Sequence, residues 1–137
     1  MAIRASKPKQ ATIVIVDDDA GIRDSLKDLL ADEDLECVVA ETGKEGLKLV
    51  GALKPQLVVT DIQLPDMSGY QLCQSLKRDP QSRHVPVVMI TGRFTEPGDK
   101  VQGFESGADE FFSKPFDPTL FVSRIKSILR GIATQAV

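Results

Sequence analysis

The sequence predicts an α/β fold: a five-stranded parallel sheet, order 2-1-3-4-5, flanked by five helices in the flavodoxin-like doubly wound arrangement. Three observations carry that expectation. Five short β-branched or aromatic runs alternate with five stretches whose apolar residues recur at helical spacing. Two of the runs are almost continuously apolar, as strands covered on both faces are. Right-handed crossovers leave few topologies for five β-α units, and 2-1-3-4-5 is the natural one.

The elements follow in order. The first strand is "TIVIV" (12–16), and the helix after it carries Ile22, Leu26, Leu29 and Leu30 on one face. The second strand is "LECVVA" (35–40), followed by Leu47 and Val50 at helical spacing. "QLVVT" (56–60) is the third strand, and Leu72, Cys73 and Leu76 mark its helix. "PVVMI" (86–90) is the fourth. Its helix, with Val101, Phe104 and Ala108, is weak, because Gly98, Gly103 and Gly107 fall in or beside it and each interior glycine costs about 1 kcal/mol against alanine. Such a segment suits a switching element, drawn from the low-stability part of a fold. The fifth strand is "EFFS" (110–113). Its helix opens with Asp117 as N-cap and Pro118 at the first helical position, and carries Phe121, Ile125, Ile128, Leu129 and Ile132. Gly107 and Gly131 read as helix stops. Residues 1–10 read as a flexible tail, 11–132 as one domain and 133–137 as a C-terminal tail.

Composition narrows the function. The 137 residues are 42% hydrophobic and 27% charged, as a globular chain is. The net charge is −3; the first ten residues contribute +3, so the remainder carries −6. That body argues against direct nucleic-acid binding, which needs a basic face. Neither a signal peptide nor a membrane span is legible, so a cytoplasmic location without membrane contact is expected. Cys37 and Cys73 lack metal or redox spacing and read as buried small hydrophobes. His84 reads as an ordinary loop residue, and Lys77, Arg78 and Arg83 as a solvated helix end.

In a sheet of this order function gathers at the carboxyl ends of the strands. Asp17, Asp18 and Asp19 follow the first strand, Asp61 the third, Thr91 the fourth and Lys114 the fifth. Facing carboxylates cannot all stay ionised cheaply, and a hard divalent cation relieves them. Mg2+ takes oxygen ligands and typically one or two protein carboxylates, and no His- or Cys-rich set competes for zinc. A carboxylate beside Mg2+ can attack phosphorus, with Lys114 and the Thr91 hydroxyl neutralising equatorial oxygens.

The strand-end motifs "VDDD", "TDIQLPDMSGY", "TG" and "KPF", in that order on those elements, resemble the receiver domain of bacterial two-component response regulators, from about Thr12 to Ile132. The resemblance implies that Asp61 is the phosphoacceptor. It implies that Asp17, Asp18, Asp61 and the main-chain carbonyl of Gln63 hold Mg2+, with Mn2+ as a substitute. Thr91 and Lys114 would hold phosphoryl oxygens, Phe111 would be the aromatic switch that turns inward on phosphorylation, and the Lys114–Pro115 peptide would be cis. Leu64 and Gly92 depart from the commoner methionine and alanine, and Gln63 and Arg93 occupy positions that tune phosphoryl lifetime.

The implied donor is a histidine kinase or a histidine phosphotransfer protein. The implied output is a downstream protein bound by the face of the fourth helix, fifth strand and fifth helix, with phosphorylation-dependent homodimerisation as an additional outcome. On this reading the chain is not a turnover enzyme, although it catalyses its own phosphorylation and slow dephosphorylation. It is either a stand-alone receiver or a piece of a larger regulator. Two alternatives are weighed. "VDDDAG" also resembles the DxD of haloacid-dehalogenase-type phosphatases, with Asp17 as nucleophile and Asp19 as acid/base, but that leaves "LPDMSGY" unexplained. A receiver fold that binds partners without phosphorylation leaves the intact acidic set unexplained. A nucleotide fold is disfavoured, because carboxylates rather than a glycine-rich loop follow the first strand.

Overall fold

The structure, a computed structural model, describes residues 11–31, 33–92 and 97–135. Strands β1 (Ala11–Val16), β2 (Leu35–Ala40), β3 (Leu57–Asp61), β4 (Val87–Thr91) and β5 (Glu110–Ser113) alternate with helices α1 (Ala20–Ala31), α2 (Gly43–Leu53), α3 (Gly69–Arg78), α4 (Pro97–Glu105) and α5 (Pro118–Gln135). The sheet is parallel throughout, in the order β2-β1-β3-β4-β5, as the alternation predicts. Register sets the strand ends level: Val16 pairs with Thr60, Asp61 with Ile90, and Thr91 with Ser113.

Two apolar cores lie on opposite faces of this sheet. Alternate strand residues point each way, so Ile13, Ile15, Leu57, Val59, Val88 and Ile90 meet α1 and α5 through Leu26, Leu30, Phe121 and Ile125. Val14, Val16, Val58, Val87 and Met89 meet the other face through Val50, Leu72, Cys73 and Leu76. Both cysteines are buried, as their apolar neighbourhoods predict. Phe112, Phe116 and Phe121 stack at centroid separations of 5.0–5.6 Å and close the first core beside β5.

Three local expectations change. Gly131 does not stop α5, which runs on to Gln135; an α-helix tolerates an interior glycine where the rest of its face is anchored, here by Phe121 and Ile125. Val101 and Phe104 on α4 are 55% and 45% exposed, so their helical spacing marks an outward face; inwardly α4 contributes Gly103. Lys77 is not a solvated helix end. Its Nζ donates to the Val85 carbonyl at 2.8 Å and pairs with Asp109 at 3.2 Å, tying the loop before β4 to the turn before β5. Gly107, with φ of 108°, ends α4 as expected. Residues 1–10, Arg93, and residues 136–137 of the expected C-terminal tail lie outside the described residues, as does the Ile132 side chain.

Candidate functional site

Each site residue is placed by the end of a strand. Asp17 follows β1 directly, and its N–H donates to the Ala40 carbonyl at 3.0 Å, which extends the β1–β2 ladder by one rung. That rung holds the Asp17 side chain under the sheet edge, fully buried. Its Oδ1 accepts the Asp19 N–H at 2.9 Å, and Arg23 of α1 donates to its main-chain carbonyl at 2.8 Å. Asp19 has a different task. Its Oδ1 accepts the N–H groups of Gly21 (2.8 Å) and Ile22 (3.2 Å), capping α1.

Asp61 is the last residue of β3 and half-buried; its Oδ1 accepts the Gln63 N–H at 3.3 Å. Thr91 ends β4 and is 8% exposed. Lys114 follows β5, its N–H donates to the Thr91 carbonyl at 2.7 Å, and the Lys114–Pro115 peptide is cis.

These residues meet in one open cleft of about 450 Å³, lined by Asp17, Asp18, Asp61, Gln63, Thr91 and Lys114 among others. Asp17, Asp18 and Asp61 each bring a carboxylate oxygen within 4.8 Å of the others. The Lys114 Nζ lies 3.8 Å from the Asp17 Oδ2, an oxygen that is buried and accepts no hydrogen bond. Burial pushes the Asp17 carboxyl above the ordinary carboxylate range, with the neighbouring charges of Asp61 and Asp18 adding to it and Lys114 opposing. Burial, with a contribution from Asp18, likewise raises Asp61. A buried oxygen that accepts no hydrogen bond, beside two further carboxylates, fits a hard cation that takes oxygen ligands.

Phe111 lies outside this cleft. It is 5% exposed, packed against Met89 and α4. A Cβ on Gly103 would sit 3.0 Å from the ring, so the bare glycine is what seats it. The switch implied by the resemblance starts outward and turns in; here the ring is already in.

The loop "LPDMSG" holds contacts that the sequence reading left unassigned. Asp66 accepts the N–H groups of Gly43 and Lys44, both at 2.9 Å, at the start of α2. Those N–H groups of Lys44 and Gly43 hold its carboxyl below the ordinary range. Ser68 and Gln71 form a reciprocal capping box for α3, foreshadowed by the S-x-x-Q spacing. Any Cβ on Gly69 would overlap the Asp61 carbonyl, so the loop returns against the strand it left. The Tyr70 hydroxyl donates to the Asp99 carbonyl at 3.1 Å, linking α3 to α4.

Comparison with known proteins agrees with the geometry. Residues 13–126 match the family model of the response regulator receiver domain. The chain is 40% identical over 119 residues to the phosphate regulon transcriptional regulatory protein PhoB of Pseudomonas aeruginosa, covering 87% of this chain and 52% of that protein. It is 41% identical over 126 residues to histidine kinase P4 of Formosa agariphila, covering 92% of this chain and 9% of that protein. The chain thus spans about half of the one relative and under a tenth of the other. Among solved structures, a CheY-like response regulator receiver domain protein from Methanospirillum hungatei superposes with a TM-score of 0.84 at 32% identity, covering 94% of this chain and 99% of that one. With the fold, the acidic cleft and the match over most of its length in agreement, this chain belongs to the response regulator receiver domain family.

Proposed function

We propose that residues 11–132 form a phosphorylation-activated signalling receiver that accepts a phosphoryl group on Asp61. The observation that carries this reading is the grouping of Asp17, Asp18 and Asp61 beside Lys114, with one buried Asp17 oxygen that accepts no hydrogen bond. Asp17, Asp18, Asp61 and the Gln63 carbonyl would hold Mg2+, or Mn2+ in its place. Bound there, the cation supplies positive charge that neutralises phosphoryl oxygens. Asp61 attacks phosphorus through a carboxylate oxygen. The new O–P bond forms as the donor's N–P bond breaks, and the imidazole nitrogen leaves with that bond's electrons. Lys114 and the Thr91 hydroxyl hold the transferred oxygens.

The donor is a phosphohistidine on a kinase or a phosphotransfer protein. The output surface is the α4-β5-α5 face, where Val101, Phe104 and Leu120 stand 55%, 45% and 53% exposed. That face would bind a downstream protein or a second phosphorylated copy. Receiver domains of this family are not turnover enzymes; self-catalysed phosphorylation and slow hydrolysis are part of the proposal. Among the described residues no helix is long and apolar enough to cross a membrane, and a cytoplasmic setting, where kinases act, completes the reading. The phosphatase alternative loses support because its acid/base residue, Asp19, is committed to capping α1.

The test is intact-mass measurement after incubation with Mg2+ and acetyl phosphate. One labile phosphoryl adduct is expected on wild type and none on Asp61→Ala. No adduct on wild type, or an equal adduct on the variant, contradicts the proposal.

A further inference from the structure

The segment between the third strand and its helix is a small closed hairpin. Gln63 and Ser68 pair as an antiparallel bridge, and the Leu64 N–H donates to the Met67 carbonyl at 3.2 Å. Asp61 and Gln63 stand at its base, on the cleft; Asp66 stands at its tip, away from the cleft. The tip is pinned to α2 by the two hydrogen bonds from Gly43 and Lys44 to Asp66, and by the Met67 side chain, which occupies the space a Cβ on Gly43 would need.

α2 does not depend on Asp66 for its own cap. Thr42 already accepts the Glu45 N–H at 3.1 Å, and Glu45 reaches back to the Glu41 N–H at 3.0 Å. The Asp66 contact is therefore a tertiary clamp, 23 positions from its donor in sequence, laid over a helix that is capped locally. The same β2–α2 segment supports the other acidic loop, since Ala40 accepts from Asp17 and Glu41 faces Arg23 at 3.6 Å.

We propose that Asp66 is a positioning residue. By fixing the hairpin tip against α2, it holds the main chain of Gln63 and the carboxylate of Asp61 in place for the divalent cation. The inference rests on the phosphoacceptor reading above. A hairpin held at base and tip keeps its base where the ligand oxygens are needed; one held at the base alone must be ordered at the moment of binding, and that ordering subtracts from affinity.

The experiment is calorimetric titration of the metal-free protein with Mg2+, on wild type, Asp66→Ala, Asp66→Asn and Thr42→Ala. Affinity is expected to fall about tenfold in Asp66→Ala, within the range for removing a group that orients metal ligands. Asp66→Asn, keeping one acceptor oxygen, should fall between. Thr42→Ala removes a helix cap without touching the clamp, so it should lower thermal stability and leave affinity unchanged. The rate of acetyl-phosphate labelling at saturating Mg2+ should be the same in wild type and Asp66→Ala. Wild-type affinity in Asp66→Ala, an equal loss in Thr42→Ala, or a labelling rate that stays low at saturating Mg2+ would each overturn the inference. Wild type that binds no Mg2+ overturns the phosphoacceptor reading as well, which separates the two failures.

Discussion

The ammonium of Lys114 stands 3.8 Å from the Oδ2 of Asp17, close enough to attract it and too far to donate a hydrogen bond. That oxygen is buried and otherwise unpartnered, while Asp18 and Asp61 lie across the same cleft. Among the described residues lining that cleft, the clustered carboxylates of Asp17, Asp18 and Asp61 thus share one cation of the protein's own, while Asp19, also in the lining, caps α1. The metal-free cleft is under-neutralised, and its stability and chemistry both follow from that imbalance.

Replacing Asp17 by asparagine removes a buried charge while keeping an oxygen for the Asp19 N–H. Metal-free Asp17→Asn is expected to be more stable than wild type by about 1 kcal/mol, the size of a typical point-mutation effect. It should also lose the rise in stability that Mg2+ gives wild type. Urea denaturation in EDTA and in excess Mg2+ checks both; a metal-free variant less stable than wild type would contradict the account.

The acid response follows from the same groups. Asp17 and Asp61 have carboxyls raised by burial, so the folded state takes up their protons before the unfolded chain does. Their contribution to stability is therefore present at low pH and lost as pH rises through their raised values. Metal-free protein should gain stability from this pair as pH falls from neutrality. The gain is then opposed by Asp66, whose lowered carboxyl gives up its contribution as pH falls further. Because protons and cation compete for the same oxygens, Mg2+ affinity should weaken over the interval in which the pair protonates. Denaturation and Mg2+ titration across a pH series test this, and stability that falls monotonically from neutrality in EDTA would contradict it.

Lys114→Ala should separate binding from signalling. The acidic cluster remains, so Mg2+ should still bind, and loss of the opposing ammonium leaves Asp17 and Asp61 more dependent on the cation. Phosphorylation-dependent partner binding should be lost, because on the proposed reading the Lys114 ammonium would hold a phosphoryl oxygen, while the main-chain bond from residue 114 to Thr91 at 2.7 Å is kept in the variant. Partner binding that still responds to phosphorylation in this variant would remove Lys114 from its proposed role.

Gly103 and Phe111 make a steric pair. With the ring buried and the space over Gly103 already tight, Gly103→Val is expected to force Phe111 outward. Phe111→Ala should cost about 3 kcal/mol, as deletion of a buried aromatic does. An NMR comparison of Gly103→Val with wild type tests the pairing: in the variant the Phe111 ring should lose its contacts to Met89, and a ring that keeps them would refute it.

Much of this architecture is readable from the chain because parallel sheets align their carboxyl ends. Once five β-α units are recognised, Asp17, Asp61, Thr91 and Lys114 must share an edge, and Asp19, next to the helix start, must cap. What the sequence does not carry is contact between segments distant along it. Nothing local to "LPDMSG" says that Asp66 will meet Gly43 and Lys44, nor that Lys77 will leave solvent for Val85 and Asp109. Helical spacing in α4 also misled, since the apolar pair Val101 and Phe104 faces outward while a glycine faces the core. Periodicity reports that a helix has an apolar side; it does not report which way that side is turned.

The central claim is that Asp61, rather than Asp17, carries the phosphoryl group. The most direct measurement is borohydride reduction after acetyl-phosphate labelling in Mg2+, followed by peptide mass mapping, since reduction converts a phosphorylated aspartate to homoserine. Homoserine at position 61, with Asp17 and Asp18 unchanged, is the expected result. Homoserine at position 17, or none at any aspartate, would contradict it.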